Sequence, residues 1–307
     1  MLRNLININL SSLYIFFAIL CLSFGARAVP VAFTNEAEFI AAIDAQGYVY
    51  VLEGFEDNDV WGAVRTTISG GTFTAPAITN FSLRFSTNND SSKITTGPGA
   101  ARTGGWGIFS LPHGSYTTGT NCATPGSCGD GLMVSGTQPM FAFSAWVSGT
   151  FGGKLDVILN GNRLSPVDFP EICDPSGEDC INYELLSPGY KFFGVLDTAG
   201  FTNCELREVE GTAEDQKFIF CDDFVIAFSN VPPPLIRTIS VDNDTVNLYF
   251  KELAIHGNYS LDESISLSSN DWNEVDTFTA ATTKTNLTKA ISNELERTFY
   301  RLRSQLK

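Results

Sequence analysis

Apolar residues along this chain recur mostly at the two-residue spacing of a half-buried strand, and only once at the 3.6-residue spacing of a helix. The single helical signal is Asn35-Glu36-Ala37-Glu38. It reads as a capping box that opens a short helix through Phe39, Ile40 and Ile43. Elsewhere, β-rich runs stand between clusters of Gly, Asn, Ser and Pro. They cover Tyr48–Leu52, Phe81–Phe85, Gly107–Leu111, Met140–Val147, Lys154–Leu159, Lys191–Leu196, Phe201–Val209 and Phe218–Phe228. Short strands with turns roughly every 8–20 residues predict an antiparallel sandwich or barrel. An α/β fold would need long helices between the strands, and the pattern has none.

Val231-Pro232-Pro233-Pro234 interrupts the alternation. A proline triplet prefers extended polyproline II and acts as a semi-rigid spacer, so a domain boundary is expected there. Beyond it, Thr245–Phe250, Asn258–Glu263, Trp272–Phe278 and Arg297–Leu302 again read as strands. The expected organisation is a leader over 1–28, a large sandwich over 29–230, a linker over 231–234 and a smaller sandwich over 235–307.

The leader carries its own signature. Arg3 gives a positive start, Leu13 to Phe24 is mostly apolar, and Ala26-Arg27-Ala28 is a small-x-small cleavage site. That is the tripartite pattern of a secretory signal peptide. Its apolar run is shorter than the roughly 20 residues of a membrane span. No second long apolar stretch follows, so the mature chain is expected to be exported without a transmembrane segment, to the extracellular space, the cell envelope or the periplasm.

Charge sharpens that address. The 307 residues hold 34 acids and 19 Lys or Arg, a formal net charge of −15. Loss of Arg3 and Arg27 with the leader makes it −17. Nucleic acid needs a basic footprint, so it is excluded as a partner. Cysteine usage agrees with an oxidising compartment: without Cys21, six remain. Spacing favours Cys122 with Cys128 and Cys173 with Cys180, each flanking a Pro-containing loop. A hairpin turning at Glu210–Asp215 would place Cys204 opposite Cys221, near disulfide range. Three disulfides are therefore expected.

Three stretches of the large sandwich occur together: Val51-Leu52-Glu53-Gly54-Phe55, Phe192-Phe193-Gly194-Val195 and Phe220-Cys221-Asp222-Asp223-Phe224. Their order resembles the secreted jelly-roll ectodomains of bacterial PEP-CTERM-type exoproteins, which look like carbohydrate-binding modules and MAM-type domains. Anchored members of that group carry an apolar anchor and Arg-rich tail; with neither following Lys307, no such anchoring is expected here. The C-terminal part resembles a fibronectin-III-like module through Thr245–Tyr249, Tyr259–Ser264, Leu267 with Trp272, and Phe299–Arg303. The first resemblance implies a structural Ca²⁺ where the first and last strands meet, with Asp222 in the place of the last strand's acid and Asp223 beside it. Glu53 would complete the set, since Ca²⁺ takes six to eight oxygens. The alternative is that these acids cap turns or face solvent.

Flat rings that could stack on sugars are Trp61, Trp106 and Tyr116, whereas Trp146 and Trp272 read as core. His113 and His256 lie in different predicted domains, neither with metal spacing, and no G-x-S-x-G occurs. The expected function is a secreted, non-catalytic binding or adhesion protein recognising a glycan or another cell-surface component. A polysaccharide-degrading glycosidase or lyase on the same fold is the alternative, and a purely structural envelope or matrix component is a third.

Overall fold

Strand alternation along the chain is realised as an all-β structure. The computed structural model describes residues 29–65, 77–87, 94–109, 131–149, 154–164, 183–184, 189–208, 215, 217–231, 235–242, 245–251, 253–265, 271–290 and 298–305. The elements begin with β1 (Val31–Phe33), α1 (Glu36–Ala45), β2 (Val49–Glu53) and α2 (Asn58–Trp61). There follow β3 (Ala77–Asn80), β4 (Leu83–Thr87), β5 (Thr95–Gly97), β6 (Gly107–Phe109), β7 (Gly131–Gly149) and β8 (Lys154–Leu159). Next come β9 (Asn162–Arg163), β10 (Tyr183–Glu184), β11 (Lys191–Glu208) and β12 (Ile219–Phe228). After Val231 stand β13 (Leu235–Asp242), β14 (Thr245–Lys251), β15 (Asn258–Ser264), β16 (Asn273–Thr279), β17 (Thr285–Ala290) and β18 (Phe299–Ser304).

Two strands shape the larger sandwich because they are long enough to serve both of its layers. β7 runs for 19 residues and β11 for 18, and their mutual register slips between Leu196 and Asn203. Beyond the slip, the first half of β7 pairs with β4 and with the end of β11, which also pairs with β8. The second half of β7 pairs with the start of β11 and with β12. One layer is therefore β1-β11-β7-β12-β2, and the other is β3-β4-β7-β11-β8 with β9 and β10 on β8. All these ladders are antiparallel, and an early strand, β2, lies against the last, β12, the closure expected of a jelly roll.

Alternation decides which side chains fill the space between the layers. Phe55, Phe85, Phe143 and Phe224 are fully buried there, with Phe55 edge-on to Phe224 at 5.2 Å. The other face of the first layer is covered by α1. Asn35 caps this helix as expected, accepting from the Ala37 and Glu38 N–H groups at 2.9 and 3.2 Å. Its Phe39 and Ile43 bury completely against Ala142, Phe192, Leu196, Val225 and Ala227, worth about 2 kcal/mol each. Gly194 allows that approach, since a Cβ there would sit 2.8 Å from the Phe39 ring. The predicted Phe81–Phe85 run is interrupted: Phe81 and Ser82 adopt φ of +52° and +62° and turn β3 into β4.

The smaller sandwich consists of two three-stranded sheets, β13-β14-β17 and β16-β15-β18. Leu248, Phe250, Tyr259 and Leu261 are its buried centre, and the Ala254 N–H donates to the Tyr259 hydroxyl at 2.8 Å. Trp272, expected as core, is half-buried under the Arg301 guanidinium, 4.4 Å from the ring centre. The two sandwiches touch through an antiparallel bridge between Tyr50 and Ile255, and through Lys251, which reaches Asp57 at 2.6 Å and Asp59 at 3.2 Å.

Two expectations are corrected here. Cys204 and Cys221 are buried free thiols, not a disulfide. The hairpin that would have joined them does not form, because β7 lies between β11 and β12 in the sheet: Cys204 faces Val134 and Cys221 faces Val147 on that strand. Trp61 is not a surface ring. It ends α2 fully buried, edge-on to Phe55 at 4.9 Å and to Phe85 at 5.3 Å. The leader, Cys122, Cys128, Cys173, Cys180, His113, Tyr116 and the proline triplet lie outside the described residues.

Trp61→Ala should therefore lower stability by about 3–5 kcal/mol, measured as the midpoint of chemical denaturation. An unchanged midpoint with lost ligand binding would return this ring to the surface.

Candidate functional site

The site begins as a break in a ladder. Along one edge of β12, Phe220 and Cys221 pair with β6, and Phe224 to Phe228 pair with β2. Between these partners stand Asp222 and Asp223. On the opposite edge, the register with β7 slips between Asp222 and Val225, which marks a β-bulge. Asp223 takes φ +49°, a left-handed conformation that Asp tolerates better than most residues. Its N–H bonds to Asp222 Oδ1 at 2.8 Å, which holds that turn.

A loop over residues 101–106 fills the break. Its Arg102 and Thr103 N–H groups donate to Asp222 Oδ2 at 2.7 and 3.0 Å. The Arg102 guanidinium and the Thr103 hydroxyl each reach Asp223 at 2.6 Å. Glu56 then takes the Gly105 and Trp106 N–H groups on one oxygen, both at 2.8 Å. Gly104 suits this position, with φ +61° and its Cα close to the Glu56 side chain, which a Cβ would displace. Three acids thus hold one loop by four main-chain N–H groups and two side chains.

Glu53 closes the same break from β2, where it pairs with Phe224. Its carboxyl is buried and accepts from the Phe55 N–H at 2.6 Å and from the Asn80 side-chain amide. The first bond holds Phe55 at φ +59° and so aims that ring into the core. Burial raises the Glu53 pKa to about 7, opposed by the Phe55 and Asn80 bonds and by the nearby Trp61 indole. The indole Nε1 makes no hydrogen bond of sound geometry, so its influence is that of a nearby dipole. Asp222 follows the same logic: burial raises its pKa to about 6 against the N–H donors that favour the charged form.

The structure brings Glu53, Asp222 and Asp223 together, as the first and last strands were expected to. Both oxygens of each acid accept from N–H or hydroxyl donors, and a guanidinium already neutralises Asp223. Among the described residues, no group of three His, Cys, Asp or Glu has metal-binding geometry. Trp106 is half-buried beneath Arg65, whose guanidinium lies 4.1 Å from the ring centre. Trp146 sits half-buried on the outer face of the sheet with Arg102 at 3.7 Å. An arginine therefore lies over one face of each ring.

Two clefts remain, one on each side of Leu52-Glu53-Gly54. The first, about 230 Å³, exposes Leu52 among Glu36, Arg102, Thr103 and Asp223, with buried Phe224 and Val225 behind them. The second, about 180 Å³, lies between the sandwiches and is lined by Glu56, Asp57, Asn80, Lys251, Thr283 and Lys284. Burial pushes Asp57 up, and the Lys251 hydrogen bond and charge outweigh it, holding the carboxyl below its usual range. The sequence pointed to the acids of this region but not to Arg102, Thr103 or Lys284. Only the N–H demand of a bulged Asp-Asp pair could have suggested a loop there.

No protein-family model matches the chain, and no curated protein matches it either. Among solved structures it is similar to the crystal structure of a β-1,2-glucanase from Parabacteroides distasonis, at a TM-score of 0.26 and 10% identity. The match covers 73% of this chain and 34% of the glucanase, so the chain spans about a third of that enzyme. A match of this degree identifies neither a family nor a site. No helix among the described residues is long and apolar enough to cross a membrane.

Glu53 makes stability depend on pH with a definite sign. Its folded pKa of about 7 lies above the ordinary 4.5. Its contribution is full below pH 4.5 and is lost as the pH rises through 7. Between those limits, wild type should lose up to about 3 kcal/mol relative to Glu53→Gln, read from denaturation curves at both ends. Parallel profiles would show that the carboxyl titrates normally. Because the acids are already engaged, the melting temperature should coincide in Ca²⁺ and in chelator. A Ca²⁺-dependent rise lost in Asp222→Asn would contradict this geometry.

Proposed function

We propose that the chain is an exported, non-catalytic binding protein that recognises a glycan through the cleft between the first turn of α1 and the 101–106 loop. One observation carries this reading: the exposed apolar side chain of Leu52 stands among the hydrogen-bonding groups of Glu36, Arg102, Thr103 and Asp223. A sugar ring presents an apolar C–H face and a hydroxyl edge, and this cleft offers the complement of both. Leu52 is 44% exposed, so a large apolar side chain already faces solvent there. Arg102 and Thr103 are already held in place by hydrogen bonds to Asp222 and Asp223. Preorganisation of this kind reduces the ordering cost of binding. The leader and the acidic charge support export and a partner other than nucleic acid.

A glycosidase reading has one specific support: Glu53 lines both clefts and keeps a proton near neutral pH, as a general acid does. Against it, both Glu53 oxygens are occupied by the N–H groups that organise Phe55 and Asn80.

Glycan-array and calorimetric titration of the full chain should detect a saccharide ligand, with affinity reduced about tenfold or more by Arg102→Ala and by Leu52→Asp. Binding unaffected by both variants would move the site elsewhere. Saccharide turnover abolished by Glu53→Gln would make the protein an enzyme.

A further inference from the structure

The two clefts share a wall. Leu52, Glu53 and Gly54 line both, and Gly54 adds no side chain to that ridge. The first cleft belongs to the larger sandwich alone. The second takes Lys251, Thr283 and Lys284 from the smaller sandwich. We infer that the pair forms one groove holding adjacent rings of a neutral oligosaccharide, with the second ring gripped by the smaller sandwich. This rests on the glycan reading of the first cleft and extends it to ligand length and charge.

Three features support the second seat. Lys251 is fixed in place: its ammonium gives two of three donors to Asp57 and Asp59, and its stem is largely buried. The remaining donor serves a ligand with little further loss of side-chain freedom. The Lys284 ammonium has no hydrogen-bond or ion-pair partner among the described residues, and its side chain is exposed at the cleft. Thr283 is anchored through its carbonyl, which accepts the Leu253 N–H at 3.1 Å, so its hydroxyl is presented from a tethered turn.

Charge chooses between ligand classes. The second cleft sets Glu56 and Asp57 against Lys251 and Lys284, and the first sets Glu36 and Asp223 against Arg102. A uronate would meet a carboxylate in either cleft, and an amino sugar would meet a cation. Hydroxyl groups donate to the acids and accept from the bases, so a neutral sugar suits both. Like charges brought together at a desolvated contact penalise the charged alternatives.

The test is calorimetric titration of the full chain with neutral hexose mono-, di- and trisaccharides and with galacturonate oligomers of the same lengths. The expected result is a neutral disaccharide bound about tenfold tighter than its monosaccharide. Lys284→Ala and Thr283→Ala should each bring that ratio close to one, and thermal melts of both variants should match wild type. Arg102→Ala should weaken every neutral saccharide. A wild-type ratio of one, with saccharides still bound and Arg102-dependent, overturns the groove but keeps the single-cleft reading. A preference for the galacturonate series overturns neutrality. If no saccharide binds at any length, the glycan reading itself fails and the groove with it.

Discussion

Everything at the candidate site depends on the break in the β12 ladder at Asp222 and Asp223. A sheet edge leaves a row of main-chain groups that must find partners. Here β6 supplies them for two residues and β2 for five, and the gap between falls on two acids. Carboxylates cannot donate, so they recruit N–H groups from elsewhere in the chain, and the 101–106 loop is what they recruit. The bulge fixes where Arg102 points, Arg102 covers Trp146, and the loop forms one bank of the first cleft. A local failure of strand pairing has become the means of building a surface.

The acidic balance of the chain acquires a different meaning from this arrangement. Several of its acids do not face solvent as free charges. Asp222, Glu56 and Glu53 act as acceptors for main-chain or amide N–H groups. In the smaller sandwich, fully buried Asp262 receives Arg301 at 2.7 Å and both ends of the Arg303 fork. Hydrogen bonds to a charged acceptor are about twice as strong as neutral ones. Burial opposes them, which is why Glu53 and Asp222 are pushed up, while Asp262, with two guanidinium partners, is held down. The same residue type is a marginal charge in one place and a secure one in another, according to whether its donor is an amide or a cation.

Local pattern showed most of the strands and the Asn35 cap, because alternation and capping depend on neighbours within a few residues. It also placed Glu53 near Asp222 and Asp223, since jelly-roll closure joins early and late strands. It failed where pairing is long-range. Cys204 and Cys221 stand in strands consecutive in sequence, and nothing nearby reveals that β7 inserts between them. Trp61 follows acids in what reads as a surface loop, yet Glu53 turns the chain at Phe55 and brings both aromatic rings inward. The exposed Leu52, unremarkable in an alternating strand, matters only because Arg102 arrives beside it from fifty residues further along the chain.

Binding and catalysis ask opposite things of the same carboxylates. A general acid must release its proton to a substrate and so needs an oxygen free to face it. A positioning acid must keep its partners throughout. Glu53 has a proton affinity suited to the first task and a hydrogen-bond set suited to the second. Releasing it toward a substrate would abandon the Phe55 N–H, and with it the left-handed turn that seats Phe55 against Trp61, Phe85 and Phe224. Several kcal/mol of aromatic burial stand behind that single bond. The geometry therefore ties Glu53 to the fold.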